Sequence, residues 1–103
     1  MNKTAKKLWL KALRSGEYEQ GRGRLCDPEG RMCCLGVLYD VAVDGYWAKC
    51  LFGWKPQNGY GVFLHDNISR PIGISKIEQI ELASMNDDGK SFAIIADWIE
   101  KRL

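Results

Sequence analysis

The stretch Gly21–Val43, GRGRLCDPEGRMCCLGVLYDVAV, has the highest density of apolar residues in the chain and changes its periodicity halfway. Its segment Asp27–Gly30 predicts a type I turn, because a proline stands second and a glycine fourth. The flanking segments Arg24–Cys26 and Arg31–Cys33 then pair as the strands of a β-hairpin. We expect the hairpin to run without a linker into a helix, and the rest of the fold to be built on this unit.

The second half of the stretch predicts that helix, starting at the Cys33-Cys34 pair. Its apolar residues recur at helical spacing, so they share one face. The residues on or beside that face are Leu35, Val37, Leu38, Val41 and Ala42. We therefore place the core of the protein here.

Length and composition predict one globular domain, residues 1–103, that needs no disulfide to fold. Hydrophobic residues make up 46% and charged residues 27% of the chain, and the net charge of +2 is too small to specify a partner. No apolar run approaches the roughly 18 residues of a membrane-spanning helix. We expect a soluble cytoplasmic protein whose four cysteines are reduced.

The N-terminal segment predicts an amphipathic helix that Asn2 or Thr4 caps and Gly16 ends. Lysines cover its polar side, and its apolar face consists of Ala5, Leu8, Trp9, Ala12 and Leu13.

An aromatic-rich tract follows the central helix. We interpret Trp47–Phe52 and Tyr60–His65 as strands that are joined across Lys55–Gly59. Together with the first hairpin they would form an antiparallel sheet of three or four strands.

The C-terminal part predicts a loop at Ser69–Gly73 and then two helices. Ser75 and Glu78 have the spacing of a capping box, which opens a helix that ends near Met85. A turn at Asn86–Gly89 leads to the last helix, whose apolar face consists of Phe92, Ile95, Ala96, Ile99 and Leu103.

The predicted fold class is therefore α+β, in the order α, ββ, α, ββ, αα, with helices against one face of a small antiparallel sheet. The segment Leu82–Ala96 resembles the first two helices of helix-turn-helix DNA-binding domains. Because the chain stops before a recognition helix, we favour an αα-hairpin that packs onto the sheet through Phe92, Ile95 and Ile99.

Cys34 stands at a predicted helix start, which favours a thiolate. Papain-like and NlpC/P60-like cysteine hydrolases place their nucleophile in a similar position, and His65 with Asp66 or Asn67 would complete a catalytic set. The apolar surroundings of Cys33 and Cys34 instead favour buried structural cysteines.

A zinc site is a further alternative, but the spacing C-x6-C-C-x15-C has none of the CxxC pairs that bring two thiolates to one tetrahedral ion. We therefore predict no metal and no cofactor. The candidate ligands are Cys26, Cys33, Cys34, Cys50 and His65.

The loop between the first helix and the hairpin suggests a ligand site. Its glycines free the backbone, and Arg22 and Arg24 could bind phosphate oxygens. The aromatic residues that could stack on a base are Trp47, Trp54 and Tyr60. The alternative is that the arginines are solvated and that the aromatics fill the core.

Three motifs, W-x3-LRSGEYEQGRG, CCLGVLYD and LASMNDDGKSFAIIADWIE, together resemble a group of small hypothetical proteins of bacteriophages and prophages. The resemblance runs from Trp9 to Glu100. It implies a protein that acts in the cytoplasm of a bacterial host cell, and it assigns no residue roles.

We interpret the chain as a non-enzymatic phage accessory protein that binds a host protein or sequesters a nucleotide-like ligand. One alternative is nucleic-acid binding through the basic first helix, because residues 1–31 hold eight Lys/Arg and four Asp/Glu. The other is a cysteine hydrolase that uses Cys34 and His65.

Leu38→Ala tests the predicted core. A buried leucine truncated to alanine costs about 2 to 5 kcal/mol, because it loses transfer free energy and leaves a cavity. Urea denaturation should show this loss. A cost below about 1 kcal/mol would place Leu38 on the surface.

Overall fold

The computed structural model describes residues 1–43, 46–57 and 59–103. Over these residues the chain forms five α-helices and one two-stranded antiparallel sheet, and the predicted α+β class is confirmed. In chain order the elements are α1 (Lys3–Ser15), α2 (Cys34–Ala42), β1 (Trp47–Cys50), β2 (Gly53–Pro56), α3 (Asp66–Ile72), α4 (Lys76–Asp87) and α5 (Phe92–Arg102). No helix in the described part of the chain is long and apolar enough to cross a membrane.

Side-chain caps fix where the helices begin and end. Asn2 accepts a hydrogen bond from the N–H three residues later, and Gly16 ends α1 with a left-handed φ of 78°. The predicted capping box of Ser75 and Glu78 is confirmed at the start of α4. Ser91 caps α5.

The core lies among the helices. Helix α1 packs against α2 and α5, and α4 packs against the same two helices. Leu38 is fully buried, as the helical periodicity predicted, and the Trp9 indole N–H donates to the Cys34 carbonyl at 2.8 Å. Gly36 allows α2 to approach the preceding segment, because a Cβ at this position would overlap the Leu25 carbonyl oxygen.

The predicted packing of the last helix onto the sheet is wrong. Its apolar face is buried against α1 and α4, where Ile95 and Ile99 are fully inaccessible to solvent. At the rim, Arg14 bonds Asp97 at 2.9 Å and Glu100 at 3.0 Å. The sheet is peripheral: no residue of β1 or β2 belongs to the hydrophobic core cluster, although Trp47 packs against it.

The predicted first hairpin is present only as a turn with a single bridge. The Gly30 N–H donates to the Asp27 carbonyl at 3.0 Å, which confirms the turn. Beyond it, Met32 bridges Cys26 on one side and Gln20 on the other. The predicted strands Arg24–Cys26 and Arg31–Cys33 do not form, because both backbone hydrogen bonds of Met32 go to the preceding loop, at Glu19 and Gly21.

The second predicted strand pair is displaced along the chain. Strand β1 pairs with β2 in a tight hairpin with Leu51 and Phe52 at its turn, in the register Lys49↔Trp54. The predicted strand Tyr60–His65 is therefore wrong. The predicted connection Lys55–Gly59 contains the end of β2 and includes residue 58, which lies outside the described residues.

The predicted loop Ser69–Gly73 is also wrong, because most of it belongs to α3. His65 caps this helix through a side chain that accepts from the Asn67 N–H, and Gly73 ends it with a φ of 84°. Pro71 lies in the last turn, where the one hydrogen bond that it removes is tolerated.

Asn86, in the last turn of α4, is fully buried and connects three parts of the chain. Its Oδ1 accepts from the Cys34 N–H at 3.2 Å and from Gln20 Nε2 at 2.9 Å. Its Nδ2 donates to the Gly21 carbonyl at 2.8 Å. The neighbouring Asp87 accepts from the Gly23 N–H at 2.9 Å. These bonds hold the loop from Gln20 to Gly23, which precedes the turn at Asp27–Gly30, against the end of α4.

Asn86→Ala should therefore destabilise the fold strongly. It leaves the Cys34 N–H and the Gly21 carbonyl unpaired, and each buried unsatisfied group costs about 1 to 3 kcal/mol. The expected loss in urea denaturation is on the order of 3 kcal/mol. The matched control is Asp88→Ala, two residues away and exposed, which should change stability by less than about 0.5 kcal/mol. Equal effects of the two variants would refute the role of Asn86.

Candidate functional site

Cys34 is placed as a core residue. It is fully inaccessible to solvent, and its thiol donates to the Leu82 carbonyl at 3.7 Å. Burial raises the pKa of the Cys34 thiol well above its ordinary value, despite the helix start. The thiol therefore stays protonated, which disfavours a nucleophilic role.

The other members of the hypothetical catalytic set lie elsewhere. His65 caps α3, and its ring is 5.5 Å from that of Tyr60, centre to centre. Asp66 forms an ion pair with Arg70, one turn further along the same helix, with 3.6 Å between Asp66 Oδ2 and Arg70 Nη2. The contacts of Cys34 are with α1 and α4, so the structure does not bring Cys34 and His65 together.

The positions of the cysteines also disfavour a shared metal site. Within the described residues, no group of three or more His, Cys, Asp or Glu side chains lies close enough to hold an ion. Cys26 and Cys33 are buried, and burial raises the pKa of Cys33 to about 11. Cys50, on β1, is half-buried.

The two arginines of the predicted phosphate site contact different parts of the fold. Arg24 donates through Nη1 to the Phe52 carbonyl, and its Cζ lies 5.6 Å from the centre of the Phe52 ring. Arg22 instead lies beside Gly89 in the turn between α4 and α5. A Cβ atom added to Gly89 would be 3.1 Å from Nη2 of Arg22. The two arginines are not placed as a pair for one phosphate group.

Arg22 lines a cleft of about 280 Å³ together with Arg31 and Asp27. Desolvation raises the pKa of Asp27, but hydrogen bonds from the Arg31 backbone and side chain outweigh it and lower the pKa overall. The ionised carboxylate bonds Arg31 Nε at 2.8 Å. Part of the positive charge that an anion would need is therefore offset.

The three predicted stacking residues lie in or near the β1–β2 hairpin. Trp47 is half-buried: its indole N–H donates to Asp40 at 3.0 Å, and its ring meets Tyr39 edge-on at 4.8 Å. Trp54 is also half-buried, in β2. Tyr60 is 66% exposed.

Several large apolar side chains are exposed on and around the same hairpin. Leu51 and Phe52, at its turn, are 87% and 64% exposed. The segment after β2 is joined to this region by Arg24 and by the Leu25 N–H, which donates to the Gly61 carbonyl at 2.7 Å. We define the hairpin surface as Leu51, Phe52, Tyr60 and Val62.

Sequence analysis found Tyr60 on this surface but missed its other members. The sequence placed Leu51 and Phe52 inside a strand, whereas the structure puts them in a tight turn, where Asn, Gly, Asp or Ser is usual. Apolar residues in such a position are typical of a binding surface.

A cavity of about 200 Å³ lies beside the hairpin surface. It lies between the hairpin and Pro28 of the turn at Asp27–Gly30. Its lining residues are Pro28, Lys49, Cys50, Leu51, Gly53 and Trp54.

The basic face of α1 is partly compensated by α5. Lys6 Nζ donates to the Glu100 carbonyl at 3.2 Å, and Arg14 is paired with two carboxylates of α5. The charge of Arg14 is therefore offset and the Lys6 ammonium is bonded to the end of α5, so part of the basic face is engaged within the protein.

The family model of DUF8296, a domain of unknown function, matches residues 1–60. This is more than half of the 103-residue chain. The chain belongs to the DUF8296 family. The matched part of this DUF8296 protein contains the whole β1–β2 hairpin and extends to Tyr60. No curated protein and no solved structure matches the chain significantly.

Thiol alkylation tests the placement of the cysteines. In the folded protein at pH 8, iodoacetamide should label Cys50 rapidly and the three buried thiols slowly, because exclusion from solvent and raised pKa values both suppress their reaction. Mass spectrometry should show one added group per chain, and none in Cys50→Ser. Rapid labelling of Cys34 in that variant would favour a thiol enzyme instead.

Proposed function

We propose that this DUF8296 protein is a non-enzymatic binding protein that engages another protein through the hairpin surface. The observation that carries the proposal is the exposure of Leu51 and Phe52, at 87% and 64%, in the turn of the hairpin. Exposed apolar side chains with aromatic neighbours are typical of protein interfaces.

The chemistry of the surface favours a protein partner over a nucleotide-like ligand. Leu51 and Val62 add aliphatic area, which apolar side chains of a partner match better than a base and a phosphate do. Arg24 is already engaged by the Phe52 carbonyl and ring, and Arg22 lies elsewhere.

An enzymatic role has less support. The Cys34 thiol is buried and protonated, and His65 serves as a helix cap. The positions of Cys34 and His65 therefore favour non-enzymatic binding over hydrolysis.

The resemblance to bacteriophage and prophage proteins suggests the setting of this function. On that basis, we propose an accessory protein that acts in the cytoplasm of a bacterial host cell and binds a host protein.

Phe52→Asp tests the proposal. Protein captured with the tagged wild-type chain from bacterial lysate should fall at least about tenfold with the variant, because a carboxylate replaces an exposed apolar residue of the surface. Quantitative mass spectrometry of the captured proteins provides the measurement.

The matched control is Ile77→Asp, since Ile77 is 71% exposed on α4, outside the hairpin surface. It should retain the captured protein, and both variants should keep the wild-type circular dichroism spectrum. Equal capture by the two variants would remove the hairpin surface from consideration.

A further inference from the structure

The cavity beside the hairpin has the dimensions and lining of a site for one side chain of a partner. Its volume of about 200 Å³ is below the roughly 300 to 1,000 Å³ of small-molecule pockets. Trp54 and Leu51 supply apolar walls, and Lys49 supplies a charged group. An apolar side chain fits the walls, while the lysine favours a carboxylate next to it.

The charge of the surrounding segment is of one sign. Residues 46–64 contain two lysines, Lys49 and Lys55, and no Asp or Glu. Arg24 adds a third positive charge where it packs on Phe52. Lys49 in the cavity wall and Arg24 over the Phe52 ring therefore place positive charge beside the exposed apolar side chains, while the Lys55 ammonium bonds the Gln57 and Gly59 carbonyls.

Three carboxylates near the hairpin are engaged in other contacts. Glu29, which follows Pro28 of the cavity wall, lies with its Oε2 3.5 Å from Arg31 Nη2. Asp40 accepts from the Tyr18 hydroxyl at 2.5 Å and from the Trp47 indole at 3.0 Å. Asp27, whose backbone faces Gly53, is paired with Arg31 at 2.8 Å. These pairings leave the charge of the hairpin to be complemented from outside.

We infer that the partner is a protein with an acidic segment, which inserts one apolar side chain into the cavity and places a carboxylate against Lys49. This inference rests on the proposed function and adds the chemical class of the partner to it. A cavity of this size accommodates a side chain that projects from a partner protein. A lipid surface has no such side chain, so we favour a protein partner.

Selection from a yeast-displayed library of random 12-residue peptides tests the inference on the intact protein. Enriched peptides should combine an excess of Asp and Glu with a Leu, Phe or Trp. The synthesised consensus peptide should bind at least tenfold more weakly to Lys49→Glu than to wild type. Its binding should also weaken as salt is raised, and it should protect Cys50 from alkylation.

Lys101→Glu is the matched charge control, because Lys101 is exposed on α5. It should bind the peptide like wild type. Enrichment of neutral or basic peptides, or equal binding by the two charge variants, would overturn the acidic partner. If those peptides still required Phe52, the proposed function would stand without this inference.

Two other results would contradict the proposed function as well as this inference. Peptides that bind Phe52→Asp as well as wild type, or a selection that enriches none, would count against the hairpin surface itself. Binding to vesicles with 30% phosphatidylserine that is lost in both Phe52→Asp and Lys49→Glu would show that a membrane surface is the target.

Discussion

The carboxamide of Asn86 makes its hydrogen bonds where water has no access, and the arrangement of the N-terminal half depends on them. Helix α2 starts after Cys33, which gives no side-chain cap, so α4 supplies an acceptor for the Cys34 N–H from outside the helix. The same carboxamide binds the Gly21 carbonyl. One side chain therefore fixes both the start of the central helix and the path of the loop at Gln20 and Gly21.

Local signals in the sequence predicted the fold well where one short segment decides the outcome. The Asn2 cap, the Ser75–Glu78 box and the turn at Asp27–Gly30 each depend on residues within four positions of one another. Strand pairing depends on distant competitors, and there the predictions failed. Met32 bonds both Glu19 and Gly21, which no local pattern reveals. The short helix α3 was missed because a proline in its last turn was interpreted as a break.

The candidate site was partly predictable for a related reason. Aromatic composition indicated a strand at Tyr60–His65, yet Tyr60 and Val62 are exposed on the hairpin surface. Aromatic residues favour both strands and interfaces, and composition alone does not separate the two. Arg24 and Trp54, which the sequence suggested as a phosphate-binding and a stacking residue, lie on or beside the hairpin. Leu51 was missed, since it stands in a turn that the sequence placed inside a strand.

The contact between the first and last helices also has a consequence for synthesis of the chain. Lys6 and Glu100, 94 positions apart, are hydrogen-bonded, and Trp9 is sealed in a core that includes Ile95 and Ile99. During translation the apolar face of α1 therefore emerges long before the helix that covers it. The core closes only when α5 has left the ribosome, so this fold forms only after α5 has been synthesised.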